Sequence, residues 1–290
     1  MIKETNNHML NDVYQIWKRA NRKRKYAYKK TFEEFKHHFF ENPSSDNKCF
    51  FAEKNEQDIG ALMVESYNWG SYLHDWIYER DNDILQSNFQ EVISNFEKDQ
   101  RMYLYPVFGY SEFIEDYINM GFKKDERAPY HLLMKKDLKD IDDVCVEDLK
   151  IDVLKKPNPN EKIEKLSELI LKISSRLENI EDIKDEINWE LEENLKYYLL
   201  RENDEILAYS GIEQRELFTG KDMYWIKELG VHPENRREGI ATTMLQNVFK
   251  RLKNDSGDSV FIDAHSKNPA KKLYKKLGFQ IIEKFPNLFF

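Results

Sequence analysis

Residues 228–241 read E-L-G-V-H-P-E-N-R-R-E-G-I-A, and these residue types in this order suit the holding of a phosphate or pyrophosphate. An apolar, strand-like run over Met223–Val231 is stopped by Pro233, passes through a charged loop, and reaches Gly239 where a helical pattern begins. Ile240, Met244, Leu245, Val248 and Leu252 recur at spacings that turn one stripe of a helix toward a core. The order predicts a strand, a tight turn and a helix N-terminus. Such a turn offers unpaired main-chain N–H groups and the positive end of a helix dipole. Gly239 permits close approach of an anion, and Arg236 and Arg237 add charge. The same residues also admit an ordinary strand-to-helix turn with solvated arginines, because a short glycine motif is weak evidence alone.

The wording of the segment adds to its physics. Arg236-Arg237-Glu238-Gly239-Ile240-Ala241 fits Gln/Arg-x-x-Gly-x-Gly/Ala and follows Leu229-Gly230-Val231-His232-Pro233. It resembles the acetyl-CoA-binding motif of the GNAT superfamily of N-acetyltransferases. A second segment, Asn268 to Phe279 (N-P-A-K-K-L-Y-K-K-L-G-F), resembles that family's C-terminal helix and the strand after it. The resemblance implies an acetyl-CoA-dependent N-acetyltransferase that acts by direct attack of a small-molecule primary amine on the thioester, with no metal. It places the pyrophosphate on Arg236, Arg237, Glu238, Gly239, Ile240, Ala241 and Thr242, and puts Asn268 among the cofactor-binding residues. Main-chain groups of Leu229 and Val231 would hold the pantetheine and the acetyl carbonyl, in a gap between their strand and Ser259–Ala264. Tyr274 stands where the family often has the acid that protonates the departing thiolate. Taken alone, Tyr274 reads as a member of the buried stripe with Ala270, Leu273 and Leu277, and it is the motif that favours the acid role.

A base is harder to find. An alkyl ammonium of pKa about 10.4 must lose a proton before it attacks. Glu228 is the only acid between Met223 and Val231, yet strict alternation puts it on the face opposite Lys227 and Leu229. Glu228 therefore serves only if a bulge shifts the parity, and otherwise a water relay or the substrate itself takes the proton. His232 and His265 flank the region and read as loop residues.

The rest of the chain must position these groups. The first half reads as a short strand (Ile2 to Glu4), a helix carrying Leu10, Val13, Tyr14, Ile16 and Trp17, and a helix capped by Thr31 with Glu34 at the capping-box position. A hairpin, a strand from Tyr72 to Ile77, a helical stripe from Ile84 to Phe96, a strand, a helix and a last strand ending near Met134 follow. The second half repeats that order, which is the mark of an internal duplication. Tyr117 precedes Gly121 by four residues, as Tyr274 precedes Gly278. Trp76 lies 45 residues before Gly121 and Trp225 lies 53 before Gly278, so the first half is eight residues short. The shortage falls where an anion loop belongs: Glu79-Arg80-Asp81-Asn82-Asp83 has no glycine and a net negative charge. The charge-rich stretch after Asp137 marks a boundary. The reading is two tandem α/β, GNAT-like domains, each a mixed, mostly antiparallel sheet flanked by helices: residues 1–140 without a cofactor loop and 141–290 with the acetyl-CoA site.

Composition narrows the partners. A chain of 290 residues is comfortable as two domains, and a net charge of −8 disfavours anionic membrane and nucleic acid while favouring cationic ligands such as amines. The basic run Lys18–Lys30, interleaved with Tyr26 and Tyr28, is the one segment suited to a nucleic acid, but the acidity of the rest of the chain favours a solvated helix end and loop. No apolar stretch reaches bilayer length and Met1 to His8 has no signal-like core, so a cytoplasmic location is expected. The two cysteines, Cys49 and Cys145, show no metal-ligand spacing, and Cys49 beside Phe50-Phe51 reads as a reduced core thiol. Monomer and homodimer both stay open, as does a non-catalytic CoA-binding or regulatory protein.

Overall fold

The computed structural model describes residues 2–4, 9–22, 29–41, 46–54, 57–67, 70–75, 87, 89–92, 102–104, 114–141, 150–156, 160–173 and 179–290. Trp76-Ile77, the Glu79–Asp83 segment, Lys23 to Tyr28 of the basic run and Cys145 lie outside them. The first half forms β1 (Ile2–Glu4), α1 (Leu10–Arg22), α2 (Phe32–Phe40), β2 (Asp46–Lys54), β3 (Gln57–Tyr67), β4 (Gly70–Asp75), β5 (Met102–Leu104), α3 (Ile114–Asn119), β6 (Lys123–Lys124) and β7 (His131–Asp137). The second forms β8 (Ile151–Leu154), α4 (Asn160–Ile173), α5 (Ile180–Glu192), β9 (Leu195–Glu202), β10 (Glu205–Glu216), β11 (Asp222–Val231), α6 (Ile240–Asn254), β12 (Ser259–His265), α7 (Lys271–Lys276), β13 (Gln280–Phe285) and β14 (Leu288–Phe289).

Local chemistry explains the elements. In α1 the apolar stripe is buried from Leu10 to Ala20. α2 starts at a complete capping box: the Thr31 hydroxyl accepts from the Glu34 amide at 3.2 Å and the Glu34 carboxylate accepts from the Thr31 amide at 2.7 Å. Cys49 is buried and free, and desolvation pushes its thiol pKa up, as suits an inert core thiol. No helix among the described residues is long and apolar enough to cross a membrane.

Two seven-stranded sheets result, β1-β2-β3-β4-β5-β14-β6 and β8-β9-β10-β11-β12-β7-β13. Both are mixed: β3 and β10 lie antiparallel to β4 and β11, which in turn run parallel to β5 and β12. Place for place the orders match, but the sixth place in each is filled by the last strand of the other half. The strand expected after the helix from Asn268 is β13, which lies in the second sheet; β7 also joins the second sheet, and β14 in the apolar tail joins the first. Apolar patterning marks a strand without naming its neighbour: Leu132, Leu133 and Met134 are buried in succession, which signals only a strand covered on both faces. Contacts accordingly group Met1–Leu132, His265–Lys267 and Glu283–Phe290 as one unit, and Leu133–Ala264 with Asn268–Ile282 as the other.

The duplication shows at atomic detail in how two helices end. Gly121 (φ +107°) follows α3 and Gly278 (φ +88°) follows α7, a conformation that glycine adopts at little cost. The Phe122 amide donates to the Tyr117 carbonyl at 3.1 Å, and the Phe279 amide to the Tyr274 carbonyl at 3.0 Å. In each unit the tyrosine and phenylalanine rings meet edge-on. Each sheet has its own core, one around Leu62, Leu73, Phe89, Tyr117, Phe122 and Leu288, the other around Leu166, Ile183, Ile187, Tyr197, Leu199 and Tyr209.

Leu288 has no exposed surface, so Leu288→Ala should cost about 2–5 kcal/mol. Hydrogen exchange should speed up in Met102–Leu104 and Lys123–Lys124, the neighbours of β14, while β10 and β11 keep their protection. Equal loosening of both sheets would contradict this placement.

Candidate functional site

The strand, turn and helix expected over 223–254 are present as β11, a short turn and α6. The His232 amide donates to the Leu207 carbonyl at 2.8 Å, Pro233–Asn235 make one 3₁₀ turn, and Arg236 Nε donates to the Val231 carbonyl at 3.2 Å. Arg237 (φ +70°) and Gly239 (φ +86°) are left-handed, and α6 begins directly after Gly239 without a side-chain cap. Among the described residues the amides of Glu238, Gly239, Ile240, Ala241 and Thr242 meet no main-chain acceptor. A Cβ on Gly239 would meet nothing within 4 Å, so the mouth of the helix is open, with Arg236 and Arg237 exposed beside it. These are the features an anion needs from a helix N-terminus.

Before this turn the two parallel strands part. β11 and β12 are paired from Met223 with Ser259 to Ile226 with Ile262, and the pairing stops there. Leu229 and Val231 keep their antiparallel partners Ser210 and Ala208 on β10, while their other edge no longer has β12 in register. The gap expected beside Leu229 and Val231 is therefore present in the backbone.

The same place holds a bulge. Ile226 pairs with Ile212 and Glu228 with Gly211, so Lys227 is the extra residue. Glu228 is thereby shifted to the face that strict alternation would have given Lys227. Gly211 leaves room for it: a Cβ there would stand 3.6 Å from the Glu228 Cβ, 3.2 Å from the Tyr197 ring and 3.1 Å from Leu195. Gly230 gives the next step its shape, because the Tyr209 ring lies 2.2 Å from where its Cβ would be.

Around Glu228 the environment is acidic and largely dry. Carboxylate oxygens of Glu186 and Glu190, one turn apart on α5, and of Glu228 all lie within 4.8 Å of one another. Glu190 is buried and accepts from the Tyr197 hydroxyl, whereas Glu228 Oε2 is buried without a partner among the described residues. Burial first, then the facing Glu190 and Glu186, holds the Glu228 pKa well above the usual carboxylate range. Burial likewise raises Glu190, against the pull of its Tyr197 hydrogen bond. Farther along this face, Trp225 stacks on Phe261 with ring centroids 6.3 Å apart, and Arg215 sits over Trp225 while paired with Glu213.

Tyr274 is buried on α7, its pKa pushed up to about 12 by desolvation, so its hydroxyl keeps its proton at neutral pH. The helix is shorter than expected. α7 starts at Lys271, and Asn268 Oδ1 accepts from the Ala270 amide at 2.9 Å and closes the turn before it. His265 is the last residue of β12 rather than a loop residue, and its ring lies 4.5 Å from that of His131 in the first unit.

Comparison with known proteins bears on this arrangement. Residues 163–279 match the model of the acetyltransferase (GNAT) family. This segment is therefore similar to a GNAT acetyltransferase domain. The fold of the whole chain is similar to that of a tandem GNAT protein from the clavulanic acid biosynthesis pathway, at TM-score 0.72 and 12% identity over 100% of this chain and 98% of that one. It is also similar to an acetyltransferase of the GNAT family from Colwellia psychrerythraea, at TM-score 0.71 and 13% identity over 100% and 99%. Identities this low show the fold, which is the tandem GNAT arrangement. No curated protein matches the sequence significantly.

In the second unit, sequence reasoning singled out Glu228 but not its neighbours Glu186, Glu190, Tyr197 and Tyr209. One signal was available for Glu190: it stands in the buried stripe of α5 with Ile183, Ile187 and Leu191, where an acid is out of pattern. Because Glu228 has a raised pKa in the fold, ionising it opposes folding as pH rises above the unfolded value of about 4.3. Glu228→Gln should therefore melt at a higher temperature than the wild type at about pH 8.5, and the difference should vanish by about pH 4, where both side chains are neutral. Melting curves across this range check it; a difference independent of pH would contradict the assignment of the burden to charge.

Proposed function

We propose that the second unit transfers an acetyl group from acetyl-CoA to a primary amine of a small molecule, by direct attack of the amine on the thioester. The observation that supports this most is the bulge at Lys227, which sets the Glu228 carboxylate on the α5 face of β11 just where β11 and β12 part. Acetyl-CoA, when bound, supplies an activated acyl carbon and a thiolate leaving group. The open amides of Glu238–Thr242, with Arg236 and Arg237, would hold its pyrophosphate, and main-chain groups of Leu229 and Val231 its pantetheine.

The protein's own residues then have defined tasks. Glu228 takes a proton from the ammonium, freeing the nitrogen lone pair that forms the new N–C bond. A main-chain N–H at the parted edge of β11 faces the carbonyl oxygen as it gains charge. Tyr274 gives its proton to sulfur as the C–S bond breaks. The acidic pocket favours a cationic acceptor. The reading of a CoA-responsive protein without turnover rested on the lack of a base, and Glu228 in this position argues for turnover. We further propose that the first copy, residues 1–140, carries no cofactor site, that no metal takes part, and that the protein works in the cytoplasm.

Calorimetry should find acetyl-CoA binding to the wild type and not to Gly239→Glu, whose side chain would project into the open mouth of α6. Thiol release across an amine panel should fall by about 10²–10⁴ in Glu228→Gln, and by the lower end of that range in Tyr274→Phe. Equal binding by wild type and Gly239→Glu would remove the cofactor site; no turnover with any amine would favour the non-catalytic reading.

A further inference from the structure

Glu190 is the carboxylate that the acetyl transfer leaves without a task. Only 7% of its surface is exposed, it packs in the apolar stripe of α5, and its carboxylate accepts from the Tyr197 hydroxyl. It stands opposite Glu228, whose Oε2 is buried without a partner among the described residues. The groups that face this pair are Glu186 from α5, Tyr197 from β9, Tyr209 and Glu213 from β10, and Lys227 from β11. Glu213 is already paired with Arg215, and Lys227 is the exposed residue of the bulge. Two carboxylates this close in a dry pocket do not ionise independently; they gain and lose protons as one system.

We propose that Glu190 is a positioning residue for Glu228: the two carboxylates share one proton between α5 and β11, and the pair takes up the proton that the acceptor ammonium gives away. This rests on Glu228 serving as the base. The chemical gain is in matching. An isolated glutamate of pKa about 4.3 is roughly six units too weak to accept readily from an alkyl ammonium of about 10.4. A carboxylate held beside a second, proton-sharing one is a stronger base, and the gap narrows. The balance is simple: the singly protonated pair carries one negative charge, accepts one proton as the amine attacks, becomes neutral, and returns that proton to solvent after product leaves.

The full-length protein, labelled with ¹³C at the glutamate carboxyls and titrated by NMR, tests the sharing without any acceptor. In the wild type the Glu228 and Glu190 signals should move together in two steps, both above the ordinary carboxylate range. In Glu190→Gln, which can still accept from Tyr197, the Glu228 midpoint should fall by about one pH unit or more, the size at which two sites count as coupled. The acid limb of the turnover profile should move down with it, since Glu228 must be ionised to act. A Glu228 midpoint unmoved in a folded Glu190→Gln overturns the proposal. Should that variant fail to fold, Tyr197→Phe replaces it: without its hydroxyl Glu190 keeps its proton more firmly, so the Glu228 midpoint should again fall, and an unmoved one overturns the proposal. Binding of Mg²⁺ or Mn²⁺ that abolishes both steps would also overturn it, because the charge would then be balanced by an ion. Full activity in Glu228→Gln would remove the base assignment whatever the titration shows, whereas an unmoved midpoint with an inactive Glu228→Gln removes only the role of Glu190.

Discussion

One unpaired residue, Lys227, decides which side of β11 carries its acid. Strand side chains alternate with a period of two, so a slip of one residue moves everything beyond it to the other face. With the bulge, Glu228 enters the α5 face, opposite Gly211 and among Tyr197, Tyr209 and Glu190. Without it that position would fall to a lysine. The bulge also lies at the last paired residue of β11 and β12, so the turn of the acid and the opening of the sheet occur together. An acid aimed at one side of a gap and a cradle of amides at its end are thus consequences of one local irregularity followed by one left-handed glycine.

The pocket that results is costly to the fold. Three carboxylates lie within 4.8 Å and oppose one another, and of these Glu190 is buried, Glu228 half-buried and Glu186 exposed. The surrounding apolar core of Leu166, Ile183, Ile187 and Leu199 offsets this, and the Tyr197 hydroxyl supplies a hydrogen bond in place of solvent. Local strain that persists at one spot because the rest of the domain over-determines it is the usual mark of a working site.

The strand, turn and helix from Met223 to Asn254 were legible because residues there answer backbone requirements: Pro233 stops the strand, Gly239 takes a positive φ, and the stripe from Ile240 to Leu252 fixes the helix face. The paired Tyr-Gly-Phe endings of α3 and α7 were legible for the same reason. The bulge was not, since it is a matter of register between two strands, although Gly211 inside a strand pattern was a hint. Glu190 could be seen only as a flaw in an apolar stripe, and its partner is 38 residues away. The exchange of β7 and β14 was beyond periodicity altogether, because burial on two faces looks alike whichever sheet provides it.

That exchange also bears on synthesis. Domains generally fold as units, with the N-terminal one completed first as the nascent chain emerges. Here the sheet that begins with Ile2 has its sixth strand at Leu288–Phe289, so it cannot close before those residues have left the ribosome. During that interval β5 and β6 would present open edges, the kind that attract stray strands. The two halves must therefore mature together, which makes this tandem protein a single folding commitment.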